Sequence, residues 1–110
     1  MGPKPDGRRE LGQRGEEEAV RYLAAKGYRI LDRGFRMFGG EIDIIARQRE
    51  TLVFVEVRTR RRTDFGLPDE SVNLSKQNQV RKIALGYLLK KRLSEDRTSC
   101  RFDVLSIVWA

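Results

Sequence analysis

Residues 39–60 read GGEIDIIARQRETLVFVEVRTR, and two apolar runs stand out in them. Ile42, Ile44, Ile45 and Ala46 form the first; Leu52, Val53, Phe54, Val55 and Val57 form the second. β-Branched and aromatic residues at this density favour two well-covered strands, and the polar residues between them favour a short turn. Asp43, Glu56 and Arg58 interrupt the runs. An ionised side chain in such a setting is costly unless a partner compensates it. Side chains alternate faces along a strand, so Glu41, Asp43 and Ile45 share one face, and Leu52, Phe54, Glu56 and Arg58 share another. A tight turn at Arg49-Glu50 sets Gln48 against Thr51. Counting back, Asp43 then faces Glu56, and Glu41 faces Arg58. Opposed Cβ atoms lie roughly 4.5–5.5 Å apart, where like charges repel. Two carboxylates held that way ask for a cation, and a hard divalent ion such as Mg²⁺ suits them.

The 110 residues are enough for one domain with a modest core. Residues 1–9, MGPKPDGRR, read as a flexible basic lead-in, and residues 10–110 as the single domain. The only cysteine, Cys100, has no internal partner, and there is no histidine, which excludes Ser-His and Cys-His nucleophiles and the usual zinc sites. A reducing, cytoplasmic setting fits this best. No apolar run approaches the ~18–20 residues of a membrane helix, so no membrane partner is expected. Lys and Arg total 23 against 16 acids, a net charge of +7. Two readings of that excess stand: a surface for a polyanion, most simply nucleic acid, or ordinary solubility charge.

On either side of the hairpin the chain reads as helix and strand. Residues 10–26 form a helix, with Ala19, Val20, Leu23 and Ala24 at helical spacing and Gly27 as its stop. Glu16 falls on the inward face or its edge. It reads either as a third carboxylate aimed at the hairpin site or as an acid favoured by the helix dipole. Residues 28–36 form a strand with an irregularity at Gly34. Residues 60–75 are polar and basic, a long connection in which Arg60, Arg61 and Arg62 are either placed to hold phosphates or simply solvated. Ser75 caps a second helix over residues 76–93, with Val80, Ile83, Ala84, Tyr87 and Leu88 as its stripe and Lys76 one turn before it. Gln77 and Gln79 flank Lys76. Residues 101–109, RFDVLSIVW, close the chain as a strand. The order α-β-β-β-α-β predicts an α/β fold: an antiparallel meander, a helical crossover, and a last strand parallel to its predecessor, giving a mixed sheet flanked by helices.

The ordered set LGQRGEEEAVRYLAAKGYRIL (11–31), GGEIDIIA (39–46), LVFVEVRTR (52–60), Phe65-Gly66, Ser71-Val72, Lys76 and RFDV (101–104) resembles the PD-(D/E)XK nuclease superfamily. Within it, the chain is most similar to the small bacterial YraN-type family related to archaeal Holliday junction resolvases. The resemblance implies a restriction endonuclease-like core. It also implies Mg²⁺ or Mn²⁺ held by Asp43 and Glu56 with help from Glu16, and phosphodiester hydrolysis in DNA, more readily than RNA, with branched DNA as one substrate. By analogy with resolvases it implies a homodimer.

One position departs from the pattern: Arg58 stands where that superfamily places a lysine. An arginine cannot act as a base, though it can stabilise charge or hold a phosphate bidentately. Arg58 also reads as a cross-strand ion partner of Glu41. Lys76 offers the missing ammonium from the second helix. The catalytic set expected is therefore Asp43, Glu56, Arg58 and Lys76, and the nucleic-acid contacts are Arg60, Arg61, Arg62, Lys76 and Gln79. Against this metal-dependent nuclease stand two other readings. One is a nucleic-acid-binding protein that kept the fold but lost turnover; the other is a protein-interaction adaptor.

Overall fold

The structure, a computed structural model, describes residues 7–62 and 74–109, with side chains from residue 12 onward. Residues 1–6 of the basic lead-in, the Phe65-Gly66 and Ser71-Val72 pairs, and most of the connection before the second helix lie outside the described residues. The elements follow the predicted order: α1 (Gly7–Ala25), β1 (Arg29–Met37), β2 (Gly40–Gln48), β3 (Thr51–Arg61), α2 (Leu74–Lys90) and β4 (Ser99–Trp109). The sheet runs β1-β2-β3-β4, with the first two neighbours antiparallel and β3/β4 parallel. The parallel pair follows from the helical crossover between them.

Each face of the sheet carries its own core. α1 covers one face, where Ala19 and Leu23 pack on Ile44, Ala46, Val53 and Val55. α2 covers the other, where Ile83, Tyr87 and Leu88 pack on Phe35, Ile42, Ile45, Leu52 and Phe54. Coverage on both sides explains why the two central strands read as nearly continuous apolar runs. Tyr87 meets Phe35 and Phe54 edge-on, with ring centroids 5.2 and 5.9 Å apart, the geometry that ring quadrupoles favour.

Both helices end in the same motif. After α1, Tyr28 N–H donates to Leu23 O and Gly27 N–H to Ala24 O, with Gly27 at φ 89°. After α2, Leu93 N–H donates to Leu88 O and Arg92 N–H to Leu89 O, with Arg92 at φ 56°. These are Schellman closures, one on glycine and one on a residue that resists the left-handed region.

Several predicted boundaries move. α1 begins at Gly7, not residue 10, and Ala24 is exposed because the buried stripe is centred on Gly15, Ala19 and Leu23. β3 continues through Arg61, so Arg60 and Arg61 belong to a strand and not to a loop. α2 begins at Leu74, which puts Ser75 inside the helix and not at its cap, and it ends at Lys90.

Candidate functional site

The predicted turn and register hold where the sheet is closed. Gln48 pairs with Thr51, and the ladder continues through Arg47–Leu52, Ala46–Val53 and Ile45–Phe54 to Ile44–Val55, where it stops. One step on, where Asp43 and Glu56 would pair, a side chain takes over: Val57 N–H donates to Asp43 Oδ2 at 2.7 Å. β2 thus leaves β3 at this point while staying paired to β1 through Phe35–Ile42 and Arg36–Glu41.

A change of faces accompanies it on β1 and β2. Ile44 packs on the α1 side, but Ile42 packs on the α2 side, although strict alternation would put both on one face. The switch falls at Asp43. On β1 it falls at Gly34, whose φ of 62° lies between the pairs Arg33–Ile44 and Phe35–Ile42. Glycine enters the left-handed region without the cost of a Cβ, so the strand pair turns its faces over there. The irregularity expected at Gly34 is thus a positive φ within an unbroken register, and the register shift of β1 lies earlier, between Ile30 and Asp32.

The expected opposition of Glu41 and Arg58 does not survive this fork between β2 and β3. Glu41 instead pairs with Arg36, at 3.6 Å, across the β1–β2 ladder. Arg58 lies on the same face of β3 as Glu56, two residues away, and approaches its Oε2 at 3.8 Å. Both side chains are largely covered, at 17% and 18% exposure. From α2, the ammonium of Lys76 donates to Glu56 Oε1. Glu56 Oε2 is buried and, among the described residues, accepts no hydrogen bond.

Glu16 approaches the fork from the α1 side. Gly15 beside it is the contact that seats α1: a Cβ at that position would collide with Thr59 of β3. Arg33 Nε lies 3.6 Å from Glu16 Oε1. A shallow, open cleft of about 450 Å³ lies there, lined by Gln13, Glu16, Glu17, Arg33 and Gly34. Burial holds the Glu16 carboxyl above the usual carboxylate range, the negative charge of Asp43 adds to this, and Arg33 opposes it. Burial likewise raises Asp43. The Val57 amide opposes that rise, the Glu41 and Glu56 carboxylates reinforce it, and Lys76 opposes it in turn. The negative charge of Asp43 thus bears on Glu16, and those of Glu41 and Glu56 bear on Asp43. Among the described residues, no three Asp, Glu, Cys or His side chains draw together as a metal-ligand cluster.

Of the arginines expected beside the site, Arg60 shares the face of Glu56 and Arg58 by alternation along β3, whereas Arg61 takes the opposite face next to Trp109. Arg62 follows the strand. Gln79 lies over Gly40, with its amide where a Cβ at Gly40 would have to go. Arg33 and Gly15 had not been singled out in the sequence. Gly15 sits four residues before Ala19, so the small-residue spacing on the inward stripe carried a signal for a close helix–strand approach. Nothing in the sequence marked Arg33.

A four-stranded mixed sheet covered by one helix on each face, with Lys76 donating to Glu56 and Asp43 accepting from Val57 where the β2–β3 ladder ends, defines an α/β protein. Residues 15–107 match the family described as "Uncharacterised protein family UPF0102", the YraN-type family, and the chain belongs to it. A UPF0102 protein of Alkaliphilus oremlandii (strain OhILAs) is 50% identical over 99 residues, 90% of this chain and 85% of that protein. One of Dictyoglomus turgidum (strain DSM 6724 / Z-1310) is 46% identical over 100 residues, covering 91% and 83%. One of Geobacter sulfurreducens (strain ATCC 51573 / DSM 12127 / PCA) is 50% identical over 97 residues, covering 88% and 74%. No helix among the described residues is long and apolar enough to cross a membrane.

Proposed function

We propose that the protein is a metal-dependent endonuclease that hydrolyses phosphodiester bonds in DNA. The observation that supports this reading is the fork beyond Ile44–Val55, where Asp43 accepts from Val57 on β3 and Lys76 donates to Glu56 one residue before it. Asp43 and Glu56 would hold the cation, Mg²⁺ or Mn²⁺. Glu56 Oε2, buried with no hydrogen-bond donor among the described residues and Arg58 at 3.8 Å, supports such a ligand, and an all-oxygen pair suits a hard ion that keeps several waters. Bound there, the cation supplies Lewis-acid stabilisation of the phosphodiester and a water of lowered pKa. Glu16 contributes negative potential through Asp43, and as a third ligand it would have to leave Arg33.

The chain's own groups do the rest. Lys76, an ammonium on Glu56, supplies the cation that the E-x-K pattern requires from a second element; it orients the attacking water and stabilises charge on the phosphoryl group. Arg58 and Arg60, on the same face of β3, hold the flanking phosphates, Arg58 bidentately if it swings from Glu56. Arg61, Arg62 and Gln79 extend the contact surface for the strand.

Lys76→Ala should lower metal-dependent cleavage about 100-fold or more, the scale of losing one preorganised charge-stabilising donor. Unchanged cleavage would remove Lys76 from the mechanism. A second reading, a DNA-binding protein with little or no turnover, draws on the two cations already engaged with Glu56. Arg58→Lys separates them: a gain in cleavage marks a nuclease site held back by its arginine.

A further inference from the structure

The β1–β2 connection is a two-residue turn. Met37 pairs with Gly40, and both residues between them have positive φ, Phe38 at 54° and Gly39 at 75°. This is the type I′ pattern, which matches the strand twist and favours Asn, Asp or Gly at its first position. A bulky side chain there strains the backbone. Phe38 is also 65% exposed, so its position is costly twice, once in backbone and once in hydration, and core burial compensates for neither.

The ring is nevertheless held. Gly86 of α2 is buried beneath the turn, where a Cβ would come 2.9 Å from Phe38 Cε2 and collide with the Met37 sulfur. A helix position without a side chain therefore receives the edge of the ring and leaves the remainder facing solvent. On the α2 side, Lys82, one turn before Gly86, is exposed, while Arg36 two residues before the ring is exposed and paired with Glu41. An anchored, exposed aromatic ring, with Lys82 on the neighbouring helix of a chain of net charge +7, is the composition of a nucleobase-stacking platform. From Lys76 to Gly86 the helix advances about 15 Å, roughly four base steps along a strand.

We propose that Phe38 stacks against an unpaired base of the bound nucleic acid and so selects strands bearing single-stranded segments over uniform duplex. This rests on the nucleic-acid reading above and adds to it the residue that discriminates among substrates. The test measures fluorescence anisotropy in low salt without metal, using a labelled single strand, a blunt duplex and a duplex with a short single-stranded flap. Wild type, Phe38→Ala and Phe38→Trp are compared. Phe38→Ala should weaken single-strand and flap binding by about 5- to 100-fold, the range of one base–aromatic stack. Duplex affinity should stay within about twofold, since phosphate contacts are left intact. Phe38→Trp should restore the loss. The thermal midpoint of Phe38→Ala should change little, because most of the ring is exposed and alanine meets the same positive φ. Equal affinity of wild type and Phe38→Ala for all three DNAs overturns the proposal and points to a protein partner for the ring; an equal loss on all three also overturns it. Failure of wild type to bind any of them defeats the nucleic-acid reading itself, a separate result.

Discussion

Asp43 illustrates how one side chain can be structural and chemical at once. Its Oδ2 replaces a missing ladder bond by accepting Val57 N–H, while burial and the nearby Glu41 and Glu56 carboxylates disfavour its charge. With its carboxyl held above the usual range, the folded chain keeps this proton at pH values where the unfolded chain has lost it. Its contribution to stability is therefore greatest below the ordinary carboxylate range and declines as pH rises through the raised value. Asp43→Asn keeps an acceptor for Val57 and removes the charge. Its unfolding midpoint should exceed wild type by about 2 °C or more at neutral pH, and the gap should close near pH 3. A lower midpoint at neutral pH would mean that the ionised carboxylate stabilises the fork instead of straining it. Cation binding should reverse the comparison, stabilising wild type and leaving the variant unmoved.

At the scale of elements, the site depends on how α1 and α2 are seated against the two faces of the sheet. α1 approaches β3 through Gly15 on Thr59, the contact that brings Glu16 toward the fork. Gly15→Val should cost about 1–3 kcal/mol through overpacking, with Thr59→Ala recovering part of it, and urea midpoints of the four combinations measure the coupling. Additivity would show that the two do not touch. The sequence revealed this architecture well where one periodicity dominated. The alternating runs around residues 42–57 gave the hairpin, its turn and its register, and Gly27 gave the end of α1. It misled where a costly conformation stood in for a signal. Arg92 closes α2 in the left-handed region, so the end of that helix read about one turn late. The fork was hidden for a related reason: strict period-two counting carries Glu41 to Arg58, whereas the face switch at Gly34 and Asp43 sends Glu41 to Arg36. Sequence spacing predicted Asp43 opposite Glu56, one step beyond Ile44–Val55, where the ladder ends and Asp43 instead accepts from Val57. Glu16's pairing with Arg33 needed the tertiary approach of α1 to β1, which spacing does not encode.

Across the whole molecule, the net charge is +7, and on the proposed reading Lys76, Arg58 and Arg60 are where the DNA backbone would arrive. Phosphate contacts dominate such binding, so affinity for duplex should fall steeply, about tenfold or more, between 50 and 200 mM salt. A flat salt response would favour a protein partner for this surface. Whether the strand fork cleaves phosphodiesters with a metal is read most directly from cleavage itself. Purified wild type and Glu56→Ala are incubated with labelled linear, flapped and four-way-junction DNA, with and without Mg²⁺ or Mn²⁺. The fork predicts cutting by wild type only when the metal is present, and its loss in Glu56→Ala. DNA bound but left intact under every condition, or cut equally well by Glu56→Ala, would contradict it.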